Sequence, residues 1–114
     1  MENCLFCKII KKELRSNIVH EDDQVLAFDD INPQAPVHSL VIPKRHIVSL
    51  NEVGEEESSL LGHLFLVARR VAEQKGVDVG GYRTVVNTNI QAGQTVFHLH
   101  LHVLGGRTLS WPPG

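Results

Sequence analysis

Histidines occupy alternate positions near the end of the sequence. His98, His100 and His102 are separated by single apolar residues within the stretch 96–104. A two-residue period is typical of a half-buried β-strand, so the spacing predicts three imidazoles on one face, about 6.6 Å apart. The intervening apolar residues would anchor the opposite face on a core and hold the histidines on rigid backbone. Several imidazoles on one face must find partners or take part in chemistry.

Imidazole can attack phosphorus when one ring nitrogen is fixed by a hydrogen bond and the other is unprotonated. His100 is flanked by the other two histidines, which makes it the natural centre of such a site. Gly93-Gln94-Thr95 precedes the histidines and combines close backbone approach, an amide and a hydroxyl, as a phosphate-binding turn does. The same residues could also form an ordinary turn that only connects two secondary-structure elements. The sequence has no phosphate-binding G-x-x-x-x-G-K-[ST] motif, which argues against a Mg-ATP site of the usual kind.

The first half of the chain predicts a short helix followed by paired strands. Residues 5–12 have the spacing of a short amphipathic helix, and residues 18–21 and 24–28 predict the two strands of a hairpin. Residues 29–36 contain two prolines and predict a surface loop, after which residues 38–43 resume as a strand.

The second half predicts a long helix and two further strands. The apolar stripe of residues 57–75 follows an acidic start and ends near lysine and glycine, which predicts an amphipathic helix. Residues 82–87 are β-branched and predict a strand, which leads through turn-rich residues 88–95 into the histidine strand. Together these elements predict one α+β domain over residues 1–114. It would have a mainly antiparallel five-stranded sheet and two helices.

Composition limits the class of protein. Hydrophobic residues make up 42% of the 114 residues and the formal net charge is −2. These values fit a globular domain and argue against a nucleic-acid or anionic-membrane surface, which needs basic patches. The sequence also lacks a long apolar run and a signal-peptide pattern, so we expect a cytoplasmic protein.

The two cysteines form a C-x-x-C pair, Cys4 and Cys7. Such a pair is a poor disulfide framework in a reducing compartment. It could be half of a metal site or a pair of buried thiols, and the sequence leaves both possibilities open.

The stretch His98-Leu99-His100-Leu101-His102-Val103-Leu104 resembles the motif of the histidine triad (HIT) family. Further segments agree with that family at residues 6–13, 26–36, 38–46 and 86–87, and from 105–107 through 111–114. The Gly-Gly-Arg and Trp-Pro-Pro-Gly sequences of the last segment resemble the Hint branch, the purine nucleoside phosphoramidases. The dinucleoside polyphosphate hydrolase branch does not end in this way.

The resemblance implies a reaction and an assembly. Members of the Hint branch split adenosine or guanosine 5′-phosphoramidates into the nucleotide and an amine, without a cofactor for catalysis. They form homodimers whose sheets join across the interface. The apolar tail at residues 109–113 would dock near the partner's active site and shape the side where the leaving group lies.

The resemblance also implies roles for individual residues. His100 corresponds to the nucleophile that becomes nucleotidylated, His102 and Thr95 would hold the α-phosphate and help the leaving amine, and His38 and His98 would orient His100. Familiar members have serine at the position of Thr95, so the added methyl group could change the rate.

The nucleotide would be bound by residues from both halves of the chain. Asp30 would accept hydrogen bonds from the ribose hydroxyls, Asn87 would face the ribose-phosphate side, and Gly93 and Gln94 would contribute contacts around the phosphate. The apolar slot for the purine would be formed by Phe6, Leu14, Phe28 and Ile31. An acid at a loop tip also suits a cis-diol on chemical grounds, although exposed acids are commonly just solvated.

Some bacterial members with the cysteine pair bind structural zinc, which here implies Cys4, Cys7, His46 and His98 as ligands. Four protein ligands would leave no open position for substrate. Two other functions remain open from the sequence. One is dinucleoside polyphosphate hydrolysis, and the other is a nucleotide- or metal-binding module without turnover.

Overall fold

A computed structural model describes residues 3–114 and shows a five-stranded antiparallel sheet with two helices. This confirms the predicted α+β class. The elements in chain order are α1 (Leu5–Ile10), β1 (Ile18–Glu21), β2 (Val25–Asp29), β3 (Val37–Pro43), α2 (Ser58–Gln74), β4 (Tyr82–Val85) and β5 (Leu101–Gly105). Short 3₁₀ turns, which the sequence did not predict, lie at Leu50–Glu52, Glu55–Glu57 and Ile90–Ala92.

The strand order is β1-β2-β3-β5-β4, and every neighbouring pair is antiparallel. Strands β2 and β3 are interior and nearly continuous in apolar residues, because each of their faces packs against a core. Strands β1 and β4 form the two edges of the sheet.

Alternate residues of the strands face two separate cores. Val25 and Ala27 of β2 pack in the core beneath α2, and Leu26 and Phe28 pack with Phe6 of α1 on the other side. This is the two-residue period of a strand. On β5 the apolar residues beneath α2 are Leu101 and Val103. The predicted apolar face of the histidine strand therefore does anchor on a core.

The register between β3 and β5 positions two histidines on the α1 face. His38 pairs with Leu104 and Leu40 pairs with His102. Leu40 belongs to the α1-side core, so His38 and His102 are diagonal neighbours on that face. This pairing brings together side chains from distant parts of the sequence.

The prediction of a strand over residues 96–104 is wrong in its first half, because β5 begins only at Leu101. Before it, the Leu99 N–H donates to the carbonyl of Ile47 at 2.6 Å rather than to a strand ladder. The neighbouring strand β3 ends at Pro43, which has no N–H with which to extend the ladder. His98 and His100 thus lie on an irregular segment.

The other boundaries differ little from the predictions. Helix α2 is one residue shorter at each end than predicted, β4 ends two residues earlier, and Asp29 belongs to β2 rather than to the loop. The Lys75 ammonium lies 2.9 Å from the Asp29 carboxylate and ties the end of α2 to the sheet. None of the helices within residues 3–114 has the length and apolarity needed to cross a bilayer.

Candidate active site

A cavity of about 550 Å³ opens on the α1 face of the sheet. It brings together many of the residues that the sequence analysis singled out. Those that line it are Phe6, Leu14, Phe28, Asp30, Ile31, His38, Thr95, His100 and His102. The apolar members come from α1, β2 and the loops that follow them, and the histidines come from β3, β5 and the segment before β5. One wall can therefore take a flat apolar group while another offers polar ring nitrogens.

His100 is held in one tautomer. Its Nδ1–H donates to the backbone carbonyl of His98 at 2.7 Å, which leaves Nε2 with a free lone pair. The ring edge packs against Phe6 with centroids 5.1 Å apart. Burial lowers the pKa of His100, so the ring is neutral near pH 7. These conditions are those that a nucleophilic imidazole needs.

His102 is oriented by a chain of hydrogen bonds. The backbone N–H of Gln34 donates to His38 Nδ1 at 3.0 Å, so His38 carries its proton on Nε2. His38 Nε2–H can then donate to His102 Nδ1, 2.9 Å away. This leaves the remaining proton of His102 on Nε2. The carboxylate of Asp30 lies 3.5 Å from His38 Nε2, where its charge favours this proton.

The Nε2–H of His102 is buried and has no hydrogen-bond partner within residues 3–114. Burial, together with the neighbouring His100 and His38, lowers the pKa of His102 to about 4. A buried donor without an acceptor is costly, by about 1 to 3 kcal/mol. The His100 and His102 rings are 5.0 Å apart, so an acceptor held near His100 would satisfy this donor. An anionic oxygen is suited to that position.

The expectation that His38 and His98 orient His100 is confirmed for His98, through its backbone carbonyl, and is wrong for His38. His38 contacts His102 instead, and only the backbone carbonyl of His98 bonds to His100. The His98 side chain is fully buried elsewhere, where its Nε2–H donates to the carbonyl of Pro43 at 2.8 Å. His98 and His100 still share the α1 face, because both rings contact Phe6 while Leu99 packs with Leu101 and Val103 in the core beneath α2.

The predicted turn contributes differently from its expected role. Gln94 is buried, and its amide donates to the carbonyls of Val48 and Val96 while accepting from the Asn89 N–H. Gly93 ends a 3₁₀ turn with a φ of 88°, a left-handed conformation that favours glycine. Neither residue lines the cavity, and neither does Asn87. From this turn only Thr95 reaches the cavity.

Sequence analysis missed several cavity residues. Leu40, Val96, Arg15, Ser16 and Gln34 also line the cavity. Leu40 could have been found from its spacing of two residues from His38 on a strand. The role of Gln34 belongs to its backbone N–H, which no side-chain pattern reveals.

Cys4, Cys7, His46 and His98 form a second cluster, with ligand atoms all within 4.8 Å of one another. His98 Nδ1 is 3.4 Å from Cys4 Sγ and 3.6 Å from Cys7 Sγ. His46 Nδ1 is 3.3 Å from Cys7 Sγ and 3.2 Å from His98 Nδ1.

These separations fit a tetrahedral zinc ion. Ordinary Zn–S and Zn–N lengths place sulfur and nitrogen about 3.6 Å apart and two nitrogens about 3.3 Å apart. Because His98 Nε2–H is bonded to a carbonyl, its Nδ1 carries the lone pair that a metal requires. The donor set and its spacing therefore suit structural zinc.

Comparison with known proteins shows the family. A family model described as "Scavenger mRNA decapping enzyme C-term binding" matches residues 3–110. An uncharacterized HIT-like protein of Synechococcus elongatus is 56% identical over 113 residues, covering 99% of this chain and 98% of that protein. A HIT family hydrolase from Legionella pneumophila has a TM-score of 0.96 and 50% identity, over 98% of this chain and 100% of that one. A HIT family hydrolase from Clostridium thermocellum has a TM-score of 0.94 and 51% identity, over 96% of each chain.

The fold and the histidine cluster thus define a histidine triad protein. The chain belongs to the HIT family. The names of the solved relatives support a hydrolase in general.

The tautomers give a direct prediction. Long-range ¹H–¹⁵N spectra at pH 7 should show His100 protonated on Nδ1 and His38 and His102 protonated on Nε2. On lowering the pH, His102 should titrate near 4 because its ring is buried. A His102 midpoint near the ordinary value of 6.5, or an Nδ1–H tautomer of His102, would contradict the chain of hydrogen bonds from Gln34 through His38 to His102.

The same residues in the urea-unfolded chain serve as the control, since their midpoints should return to about 6.5. Between about pH 4 and 6.5, His102 is then protonated in the unfolded chain but not in the native chain. Native stability should therefore fall as the pH is lowered from about 6.5 to 4. Chemical denaturation across this range measures the loss.

Proposed function

We propose that this protein hydrolyses purine nucleoside 5′-phosphoramidates to a nucleoside monophosphate and an amine. The observation that carries the proposal is the arrangement of two ring nitrogens at one cavity. His100 offers an unprotonated Nε2, and beside it His102 offers an Nε2–H that has no partner among residues 3–114. A nucleophile next to an oriented donor suits attack on a phosphorus that bears anionic oxygens.

In the first step, His100 Nε2 attacks the α-phosphorus and forms a P–N bond while the bond from phosphorus to the leaving amine breaks. The ring becomes positively charged, and the carbonyl of His98 on Nδ1–H stabilises this charge. His102 Nε2–H and Thr95 would hold the phosphate oxygens and help the departing amine.

In the second step, water attacks phosphorus and the P–N bond to His100 breaks. The nucleoside monophosphate leaves, and the imidazole returns to its neutral form. The leaving amine takes one proton from solvent in the first step, and the attacking water returns one proton to solvent in the second, so that one water molecule is consumed over both steps. No cofactor is needed for this chemistry.

The proposed nucleotide pose follows the lining of the cavity. Asp30 would accept from the ribose hydroxyls, since one of its oxygens is bonded to the Asn32 N–H while the carboxylate lies at the cavity. The purine would lie on the apolar wall formed by Phe6, Leu14, Phe28 and Ile31. Ile31 is 93% exposed, so a base bound beneath it would bury apolar surface on both partners.

Contacts with Asn87, Gly93 and Gln94 are less well supported. These residues lie outside the lining of the cavity, and Gln94 already uses its amide within the fold. Gln94 would contribute to binding indirectly. Its side chain donates to the carbonyl of Val96, and this bond would hold the intervening Thr95 in place.

Replacing His100 with Asn should lower turnover of adenosine 5′-phosphoramidate by about a thousandfold or more, because the nucleophile is lost. Affinity for AMP should change much less, because the apolar wall and Asp30 remain. Chromatography of released AMP measures turnover, and calorimetry measures binding. Mass spectrometry of rapidly quenched wild type should show one added nucleotidyl group.

Asp78→Asn, on an exposed loop, is the control and should behave as wild type. Release of AMP by His100→Asn at the wild-type rate would refute the nucleophile. Diadenosine polyphosphate should be tested beside the phosphoramidate. A preference for it would assign the protein to the other hydrolytic reaction, and binding of AMP with no turnover of either compound would leave a binding module.

We also propose that Cys4, Cys7, His46 and His98 hold a structural zinc ion. The four ligand atoms have tetrahedral spacing, and all four coordination positions would be filled by protein. The ion would tie the start of α1 to the segment before β5. It would thereby fix His98, whose carbonyl orients His100.

Protein purified without chelator should contain about one zinc per chain by elemental analysis, because the site needs no further ligand. Cys4→Ser with Cys7→Ser preserves side-chain size and should abolish the zinc and lower the melting temperature. Chelation should destabilise wild type but not this variant. Wild type that is purified without zinc and whose melting temperature does not change with chelator would show that the thiols are only packed.

We further propose a homodimer. Strand β4 is an edge of the sheet, and the exposed apolar residues Phe65 and Leu66 lie on α2, with 49% and 50% of their surfaces accessible. Near the same edge, Arg83 of β4 donates to the carbonyls of Leu109 and Ser110. The tail that follows carries Trp111, which is 80% exposed on its own chain. A second chain would cover these groups.

Light scattering should report twice the chain mass. Deleting residues 109–114 should change the selectivity among leaving amines more than the affinity for AMP, because purine and ribose contacts come from the first half of the chain. Arg83→Lys is the matched control, because it keeps the charge and the whole tail while changing the guanidinium that holds the carbonyls of Leu109 and Ser110. A monomer at micromolar concentration, or unchanged selectivity, would count against the proposed assembly and tail role.

A further inference from the structure

A third group of potential ligands lies beneath α2, on the face of the sheet away from the cavity. His20 Nε2 and His63 Nε2 are each 2.7 Å from Asp22 Oδ2. The three ligand atoms lie within 4.8 Å of one another. The side chains are 22% (His20), 30% (Asp22) and 26% (His63) exposed, so the cluster is partly covered yet reached by solvent. The proposed hydrolysis uses none of these residues.

A β-bulge places His20 in this cluster. The register of β1 on β2 shifts between Ile18 and His20, so that Ile18 pairs with Phe28 while His20 pairs with Ala27. Phe28 packs on the α1 side and Ala27 packs beneath α2. The bulge therefore turns His20 toward α2, where His63 lies, as bulges commonly redirect side chains.

Asp22 is fixed by the hairpin turn. Its Oδ1 accepts from the N–H groups of Gln24 and Val25, at 2.8 and 2.9 Å. Oδ2 is thereby left to face the two histidines. Burial acts to raise the pKa of Asp22, but the hydrogen bonds from His20, Gln24 and His63 outweigh it and hold the pKa well below its usual range. The group is thus a fixed carboxylate opposite two imidazoles.

We propose that His20, Asp22 and His63 form a second metal site, for a divalent ion of the Ni²⁺, Cu²⁺ and Zn²⁺ group. Imidazole nitrogen suits these ions, whereas Mg²⁺ and Ca²⁺ prefer all-oxygen sites. In the metal-free protein the Nε2–H groups donate to Asp22. When Nε2 binds a metal, each ring would carry its proton on Nδ1 instead. Water would complete the coordination because only three protein ligands converge.

The geometry needs only a small adjustment to accept an ion. Ligand atoms around a tetrahedral metal are about 3.3 Å apart for ordinary Zn–N lengths, compared with 2.7 Å in the hydrogen-bonded cluster. Partly exposed side chains can separate by this amount through small rotations. A bound ion would join the β1–β2 hairpin to α2, so it should stabilise the fold by an amount that grows with the logarithm of the ion concentration above the Kd.

The test is titration of tag-free protein, loaded with one equivalent of zinc per chain, with Ni²⁺ by calorimetry. Wild type should bind Ni²⁺, and His20→Gln and His63→Gln should each weaken binding by about tenfold or more, since loss of even supporting groups has effects of this size. Asp22→Asn retains Oδ1 for the turn and should also weaken binding. Asp23→Asn, the matched change of charge on an exposed neighbour, should bind as wild type.

Asp30, His38 and His102 in the cavity could also hold Ni²⁺. His102→Asn should therefore keep the binding that His20→Gln loses. Cu²⁺ should broaden the amide signals of residues 20–24 and 60–66 before those of residues 36–39. Ni²⁺ should raise the melting temperature of wild type and not that of His20→Gln.

Wild-type affinity for Ni²⁺ in both histidine variants, or broadening centred on residues 36–39, would overturn the proposal. The cluster would then only be a set of hydrogen bonds that joins β1 to α2. If His63→Gln fails to fold, His20→Gln decides, because its position is on an edge strand. The result does not depend on the proposed hydrolysis, so either can fail alone.

Discussion

The orientation of the active site depends on the hydrogen bond from His100 Nδ1–H to the backbone carbonyl of His98. Without it, either nitrogen of His100 could carry the proton and the lone pair would have no fixed direction. That carbonyl is held in place because the His98 side chain is fully buried, bonded to the carbonyl of Pro43 and surrounded by Cys4 and Cys7. One residue therefore links the thiol cluster to the cavity, with its side chain serving the first and its backbone the second.

The position of the cavity follows from the unequal helices. Helix α2 has 17 residues and covers one face of the sheet, whereas α1 has six residues and spans about 9 Å of the other face. The short helix buries Phe6 and Ile9 on the strands but leaves part of that face open. His38, His100 and His102 face this space, on backbone supported from the opposite side by the α2 core. A rigid sheet with one incompletely covered face is a suitable support for such a site.

The sequence predicted α2, whose apolar stripe indicates burial on one face, and the β1–β2 hairpin, whose two apolar runs are separated by turn residues. It failed at residues 96–100, because alternation of polar and apolar residues looks the same whether the chain pairs as a strand or only touches Ile47. The cysteine pair was visible as a motif, but its grouping with His46 and His98 rested on a resemblance. The chain from Gln34 through His38 to His102 could not be read from the sequence, because it needs the β3–β5 register and a backbone N–H.

The protonation of these rings constrains the proposed reaction. Burial lowers the pKa of His102 to about 4, so at neutral pH the free protein holds a neutral donor rather than an imidazolium acid. An anionic phosphoramidate beside His102 would favour the charged ring and raise that pKa. A charged ring would need a second proton on Nδ1, which already accepts from His38. In the proposed mechanism His102 therefore supports the leaving amine as a neutral donor through Nε2–H, while His100, bonded to the carbonyl of His98, stays unprotonated on Nε2 until it attacks phosphorus. The low polarity that makes His102 neutral in the free protein also strengthens its bond to the phosphate once that anion is bound.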